Sequence, residues 1–437
     1  MRGMAGLLLY RGDHVERQNM IWNMVGSFVY AFASMVLSFL VMRLAGEEQG
    51  GIFSFGYSTL GQQLFIVAYF GIRPFQITDG KGEYSFGDYL SHRHLTCALA
   101  LAGGAAYLGL LWGMGRYSAS KAAVLFLLVA YKVIDGYADV YESEFQRQGS
   151  LYLTGKSNCF RTILSVGVFT AVLAAKGSLL AACLGAVAAQ MAGVILFDLS
   201  VLSALPNLER RRGSGKIRGL FGETWLLFLS VFLDFYIFSA AKYAIDGHLT
   251  DGASGYFNLI FMPTSVIYLV ANFVIRPFLT RLTVLWNGGK LQEFLRQLLR
   301  IGLIILGLTI CAVGLTALLG KWVLGIMERI LGEGYEGSLR VYSPAFTAIV
   351  LGGGFYAMAN LMYYALVIMR RQRAIFLVYL LGAAAAFLMS GYLVEKWEIM
   401  GAAVCYLILM LFLTAGFGLC TCCFYRHKKG EQVGNGS

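Results

Sequence analysis

The sequence has little charge and almost no proline. Charged residues make up 14% of its 437 positions, whereas soluble proteins carry about 25%. Hydrophobic residues reach 58%, and there are five prolines and five histidines. This composition excludes an ordinary soluble protein and is typical of a chain that lies mostly within a membrane.

The sequence also lacks the motifs of several function classes. Its eight cysteines show no disulfide framework. Residues 149–157 resemble a phosphate-binding P-loop, but five residues separate the two glycines where the loop requires four, so ATP binding is not expected. We find no metal-ligand pattern and expect no cofactor. The loops are too short to hold catalytic groups, so we predict that the protein is not an enzyme.

Apolar segments that are long enough to cross a bilayer recur along the whole chain. A helix needs about 20 residues to span the hydrocarbon core, and about twelve such segments fit. We predict an all-α polytopic membrane protein with two six-helix lobes. Residues 43–50 are predicted to form the loop between the first two spans, and the longest loops are predicted from Arg73 to Leu95 and from Arg281 to Arg300. The predicted parts are an N-terminal lobe at 1–205, a cytoplasmic linker at 206–218, a C-terminal lobe at 219–425 and a disordered cytoplasmic tail at 426–437.

The two halves share a motif at the end of their second apolar segment. Ile-Arg-Pro-Phe stands at 72–75 and again at 275–278, and it contains two of the five prolines. A membrane protein with two matching halves is expected to be a transporter that rocks one half against the other around a central site.

The net charge of +11 follows the predicted topology. If the N-terminus is inside, inner segments hold about three times as many Lys and Arg residues as outer segments, as the positive-inside rule requires. Both termini are therefore predicted to be cytoplasmic, and the basic excess does not indicate a nucleic-acid partner.

Charged residues inside membrane helices are costly and are therefore functional candidates. Lys132, Asp135, Asp139 and Glu142 fall within an arc of about 80° on the fourth segment. We predict that Lys132 pairs with Asp135 and that Asp135 or Asp139 binds a coupling proton or sodium ion. Asp234 is the most deeply placed acid of the second half, whereas Asp198 lies nearer the inner end of the sixth segment and is a weaker candidate. The alternative is that these side chains pair between helices and have a structural role.

Basic side chains near segment ends are candidates to bind an anionic group. Guanidinium groups bind phosphate bidentately, so Arg43, Arg73 and Arg276 suit a pyrophosphate. Arg73 and Arg276 can alternatively be interface anchors that set topology. Lys242 in the seventh segment and Asn23 in the first complete the predicted substrate-binding set.

Several motifs, taken in order, resemble the polysaccharide flippases of the MOP superfamily, the Wzx-like group. The similarity covers essentially the whole chain. One departure is Ala241, where the family often has proline before the lysine. The matching motifs are Asn-Met-Ile-Trp-Asn at 19–23, Arg-Leu-Ala-Gly at 43–46, Gly-Ile-Arg-Pro-Phe-Gln at 71–76, Lys-Tyr-Ala-Ile-Asp at 242–246 and Gly-Tyr-Phe-Asn-Leu at 255–259.

The resemblance implies twelve helices in two lobes around a central cavity. It implies a cargo of polyprenyl-pyrophosphate-linked oligosaccharide, carried across the bacterial cytoplasmic membrane by alternating access for O-antigen, lipopolysaccharide or other surface polysaccharide. It also implies drive by an ion gradient, and it allows contact with other glycan-assembly proteins.

Four other interpretations stay open. A lipid II flippase is a related one, but it usually carries two extra helices for which this chain has no length. A MATE-type cation or drug antiporter has the same architecture but would want a compact acidic cavity. A membrane enzyme such as a glycan polymerase would need a longer outer loop. A scaffold of a glycan-assembly complex would tolerate loss of the buried charges, which a flippase should not.

Overall fold

The computed structural model describes residues 6–10, 12–79, 83–202, 205 and 215–434, and its regular elements in these ranges are all helices. Short π-helical turns at Gly56–Leu60 and Val194–Leu199 join α1 to α2 and α7 to α8. The helices, in chain order, are α1 Val15–Phe55, α2 Gly61–Tyr69, α3 Arg73–Thr78, α4 Phe86–Gly113, α5 Ala119–Arg147, α6 Leu151–Lys176, α7 Leu179–Gly193, α8 Ser200–Leu202, α9 Ile217–His248, α10 Asp251–Phe261, α11 Pro263–Asn287, α12 Leu291–Leu331, α13 Ser343–Ile368 and α14 Gln372–Gly434.

These helices supply twelve membrane spans. Nine helical stretches of the described chain are long and apolar enough to cross a membrane. Two of them are divided by a single residue with non-helical backbone, Gly46 in α1 and Glu398 in α14. Helix α5, whose charged face lowers its hydropathy, is the remaining span. The chain is therefore an all-α, multi-pass membrane protein, as the sequence predicts.

The break at Gly46 has a clear local cause. Its φ of +86° lies in the region that glycine adopts without steric cost. The first two spans therefore meet at one residue, where the sequence predicts a loop at 43–50. The starts of two helices also have local causes. Ser85 and Asp88 form a capping box at the start of α4, and Ser118 caps the start of α5.

The structure shortens two loops that the sequence predicts to be long. Helix α4 begins at Phe86, so the connection after the first Ile-Arg-Pro-Phe motif ends well before residue 95. Helices α11 and α12 leave only three residues between Asn287 and Leu291. Helix α14 continues to Gly434, so the tail predicted to be disordered from 426 is helical over 426–434.

The chain forms two compact units, Met1–Phe232 (unit 1) and Leu233–Ser437 (unit 2). Their division falls inside α9, after the linker predicted at 206–218, of which 206–214 lie outside the described residues. The predicted lobe boundaries stay a prediction. In unit 1, Gly26 of α1 and Gly155 of α6 bring these helices together, since a Cβ at Gly155 would lie 2.1 Å from the Trp22 carbonyl oxygen.

Candidate functional site

Unit 1 contains a buried ionic network centred on Arg161 of α6. Its guanidinium donates to Asp135 at 2.9 Å, to Glu142 at 2.9 Å and to Asp198 at 3.1 Å. Arg161 is 2% exposed, and the three carboxylates are 7% exposed or less. A buried cation of this kind is tolerated only when paired carboxylates compensate it.

Two further arginines hold Asp139 on the same face of α5. Arg73 contacts Asp139 Oδ1 at 2.5 Å, and Arg93 contacts Oδ2 at 3.0 Å. Arg93 also donates to the Ala68 carbonyl oxygen at 2.8 Å. The arginine of the first Ile-Arg-Pro-Phe motif is therefore an internal ion-pair partner of this unit.

Lys132 has different partners from those predicted. Its ammonium donates to the Tyr30 hydroxyl at 2.8 Å and lies 3.9 Å from the ring centroid of Tyr57, which is a cation–π contact. Asp135 instead accepts from Arg161 and, at 3.0 Å, from Gln190. The predicted pair between Lys132 and Asp135 is therefore wrong. Lys132 points toward aromatic rings, and Asp135 pairs instead with Arg161 of the next helix.

The network of unit 1 is balanced in charge. It contains four cations and four carboxylates, and each acid has an arginine within 4 Å, whereas Lys132 contacts Tyr30 and Tyr57. The cations are Arg73, Arg93, Lys132 and Arg161, and the acids are Asp135, Asp139, Glu142 and Asp198. Such a network stabilises helix packing and leaves none of these four acids without a basic partner.

Unit 2 holds an acid of a different kind. Asp234 of α9 accepts a hydrogen bond from the Tyr356 hydroxyl at 2.9 Å, and Tyr379 lies beside the same carboxylate. Its other oxygen, Oδ1, is buried and accepts no hydrogen bond from the described residues. The ring of Tyr268 stacks on that of Tyr356, with centroids 5.8 Å apart. Asp234 therefore faces neutral hydroxyl groups, and its Oδ1 is an acceptor that no described residue satisfies.

Lys242 lies on the same helix as Asp234, two turns further along. Its ammonium donates to the Asn258 side-chain oxygen at 3.2 Å and lies 4.5 Å from the Phe261 ring centroid. No ion pair joins it to a carboxylate of the described residues. Lys242 thus lies in a partly buried setting without a carboxylate partner among the described residues.

The second Ile-Arg-Pro-Phe motif is arranged differently from the first. Arg276 lies on an exposed face of α11, and no ion pair joins it to a described carboxylate. Helix α13 packs against α11 and has no charged residue from Ser343 to Ile368. Arg73 is committed to Asp139, whereas its repeat partner Arg276 is available.

The remaining candidates lie at the surface of unit 1. Arg43 and Asn23 are both exposed on α1, Arg43 three residues before the break at Gly46. The neighbouring Asn19 makes the interhelical contacts instead: it donates to the Gly149 carbonyl oxygen at 3.0 Å and accepts from the Tyr152 N–H at 2.8 Å.

Sequence reasoning missed Arg93 and Arg161 and gave Asp198 little weight. Arg93 falls in the segment predicted as a loop, and Arg161 lies close to the predicted inner end of its span. The available signal was the surplus of acids on α5, because buried carboxylates at this spacing require basic partners on neighbouring helices.

A polar cluster outside the membrane spans closes the turn after α3. Burial acts to raise the pKa of Asp79, but the backbone N–H groups of Tyr84 and Glu83, at 3.0 and 2.9 Å, and the Tyr89 hydroxyl donate to it and hold that pKa below its usual value. Burial and a 3.0 Å hydrogen bond to Glu223 raise the pKa of Tyr84 to about 12. In the part of the chain that the structure describes, no three His, Cys, Asp or Glu side chains are grouped to hold a metal ion.

Solved structures with this fold are membrane transporters. An inward-facing multidrug-resistance MATE transporter of the MOP superfamily is 12% identical, and the match covers 94% of this chain and 99% of that one with a TM-score of 0.65. The lipid II flippase MurJ in an inward-closed conformation is 11% identical, with coverages of 91% and 86% and a TM-score of 0.63. A MOP-superfamily transporter from Pyrococcus furiosus is 15% identical, with coverages of 97% and 98% and a TM-score of 0.55.

No family model matches the sequence, and no curated protein matches it. At these identities the likeness concerns the fold alone. The chain is a multi-pass membrane protein whose fold is similar to those of the MATE transporter and the MurJ lipid II flippase.

Proposed function

We propose that the protein is a flippase that moves polyprenyl-pyrophosphate-linked oligosaccharide across the bacterial cytoplasmic membrane by alternating access. The observation that carries this proposal is the difference between the two Ile-Arg-Pro-Phe motifs. Arg73 is neutralised by Asp139, whereas Arg276 has no acidic partner among the described residues. An anionic cargo requires an uncompensated cation, and guanidinium is the side chain that binds phosphate oxygens bidentately.

The charge balance of each unit supports an anionic cargo. In unit 1 every acid of the buried network has an arginine partner. In unit 2 the candidate side chains are two cations, Arg276 and Lys242, and one acid, Asp234. A carrier of cations would be expected to show the opposite excess. Arg276 would hold the pyrophosphate, and Lys242 would add a second positive charge. Arg43 and Asn23 remain proposed contacts whose exposed positions leave them accessible.

We assign ion coupling to Asp234 rather than to Asp135 or Asp139. Protonation of Asp135 would leave Arg161 short of one carboxylate inside the protein, and protonation of Asp139 would do the same to Arg73 and Arg93. Asp234 has only neutral hydroxyl neighbours, so it can gain a proton or a sodium ion without stranding a buried cation. Lys132 would then be a structural residue of the same network.

A MATE-type cation antiporter is the second candidate. The observation in its favour is also Asp234, because a buried carboxylate among tyrosine rings is a suitable site for an organic cation. In this reading the acid would bind the cargo itself, and Arg276 would be dispensable.

One experiment separates the two functions. Cells that lack the gene are tested for lipid-linked oligosaccharide on the cytoplasmic leaflet, for surface glycan and for resistance to cationic dyes. The flippase proposal expects the oligosaccharide to accumulate inside and surface glycan to fall, with dye resistance unchanged. Normal glycan export combined with dye sensitivity would replace it with the antiporter.

A further inference from the structure

Two helices of unit 2 are longer than a membrane span, and the end of a third helix lies beside them. Helix α12 has 41 residues and is therefore about 60 Å long, twice the ~30 Å hydrocarbon core. The part of α14 that follows Glu398 is about 55 Å long. Helix α11 ends beside them at Asn287.

Specific contacts show that these helix ends form one structure. The rings of Trp286 on α11 and Phe294 on α12 have centroids 5.1 Å apart. Lys428 of α14 donates to the Trp286 carbonyl oxygen at 2.9 Å and lies 4.0 Å from its ring centroid. Arg371, at the start of α14, lies 4.4 Å from the Phe424 ring centroid. We call this structure the basic end of unit 2.

The charge of the basic end is strongly positive. It carries ten Lys or Arg residues and two carboxylates, a formal charge of +8 within a chain of +11. The structure gives one of the ten, Lys290, an acid at ion-pair distance, Glu293 at 3.9 Å. The cations are Arg281, Lys290, Arg296, Arg300, Arg370, Arg371, Arg373, Arg426, Lys428 and Lys429, and the carboxylates are Glu293 and Glu431.

On α12 the basic surface continues directly into an apolar one. Arg296 and Arg300 are exposed one turn apart. Leu299 is 57% exposed and Leu303 67%, and the same exposed face runs on to Leu318, which is 83% exposed. Residues three and four apart share a helix face, so the cations and the leucines form one stripe. A phospholipid has this order of chemistry, with a charged headgroup above acyl chains.

We infer that the basic end of unit 2 binds the headgroups of anionic phospholipids, with acyl chains along the exposed face of α12. Charge complementarity selects the headgroup, because juxtamembrane Lys and Arg residues attract anionic lipids. The adjoining leucines select a lipid over a soluble anion. This inference concerns a site separate from Arg276 and does not depend on the cargo that the protein transports.

The test uses the full-length protein, purified in a neutral detergent and analysed by native mass spectrometry. Phosphatidylglycerol and phosphatidylcholine with identical acyl chains are added in turn, and inorganic phosphate is added separately. Arg296→Gln/Arg300→Gln removes the two stripe cations. Lys321→Gln/Arg329→Gln is the matched control, because it removes two exposed cations from the opposite end of the same helix.

If the inference is right, phosphatidylglycerol remains bound to the protein under conditions in which phosphatidylcholine dissociates. The inference also expects retention of phosphatidylglycerol to fall on the order of tenfold in Arg296→Gln/Arg300→Gln and to stay unchanged in the control. Equal retention of both lipids, an equal fall in both variants, or displacement of the lipid by millimolar phosphate would each overturn it. If the stripe variant does not stay monodisperse, Arg426→Gln/Lys429→Gln on α14 serves the same comparison.

Discussion

At the scale of single residues, buried charge in this protein takes two forms. Asp135, Asp139 and Asp198 are paired with arginine, whereas Asp234 is held by tyrosine hydroxyls. The first form maintains packing, since a buried ion pair is costly to break. The second leaves a carboxylate that can change its charge. Substitutions of the two kinds should therefore have different consequences.

Arg161→Met should destabilise the protein by about 3–5 kcal/mol, because it strands three buried carboxylates. The measurement is thermal unfolding of the purified protein in detergent. Arg329→Met, which removes an exposed arginine, is the control and should leave the unfolding temperature nearly unchanged. Equal unfolding temperatures for the two variants would show that the Arg161 network does not stabilise the fold.

Asp234→Asn should leave the fold intact and abolish gradient-dependent transport. The amide keeps the shape and a hydrogen-bond acceptor for Tyr356 but cannot gain a proton or hold a cation. Glycan export is measured beside the unfolding temperature, so that loss of function is not confused with loss of folding. Normal export in this variant would remove Asp234 from the coupling role and return attention to the acids of unit 1.

At the scale of elements, the sequence predicts the helices well and their ends less well. Period and hydropathy mark the twelve spans, and the Ile-Arg-Pro-Phe repeat marks equivalent places in the two halves. Helices α4, α11 and α12 extend further than the sequence predicts, because the charged residues near their ends indicate loops. Helix α4 continues through polar residues because Asp139 compensates Arg93. The basic end of unit 2 stays helical because Leu285, Trp286 and Phe294 are buried there and form a small hydrophobic core.

The contact between α1 and α6 gives a prediction with a matched control on one helix. Gly155→Ala should weaken packing, since a Cβ there would lie 2.1 Å from the Trp22 carbonyl oxygen. Gly167→Ala, on the same α6, meets no atom within 4 Å and should be neutral or slightly stabilising. Unfolding temperatures of the two variants provide the comparison. A Gly155→Ala protein as stable as Gly167→Ala would show that the two helices do not approach this closely.

The turn after α3 should depend on pH through Asp79. A carboxylate whose pKa is lowered in the folded protein adds stability above its unfolded pKa of about 3.9. That stability is lost as the pH falls through the lower folded value. Hydrogen exchange at the Glu83 and Tyr84 amides measures this: Asp79→Asn should lose their protection at neutral pH, and the wild-type protein should lose it only in acid. Equal protection in both proteins at neutral pH would contradict the role given to Asp79.

At the scale of the whole molecule, the two halves have the same motif and different electrostatics. The repeat was visible in the sequence, and so was Arg276. The sequence could not show that Arg73 forms an ion pair with Asp139, because that pair depends on how α3 and α4 pack against α5. The same limit explains why Arg93 and Arg161 were missed: their partners are far away in sequence and adjacent only in the fold.

The most direct test of the account is the fate of lipid-linked oligosaccharide in cells that carry Arg276→Gln as their only copy. Arg276→Lys, which keeps the charge, and Arg329→Gln, which removes an exposed arginine elsewhere, are measured beside it at matched expression. We expect oligosaccharide to accumulate on the cytoplasmic leaflet with Arg276→Gln, Arg276→Lys to restore part of the export and Arg329→Gln to export normally. Normal export with Arg276→Gln would contradict the proposal that this arginine binds the pyrophosphate of the cargo.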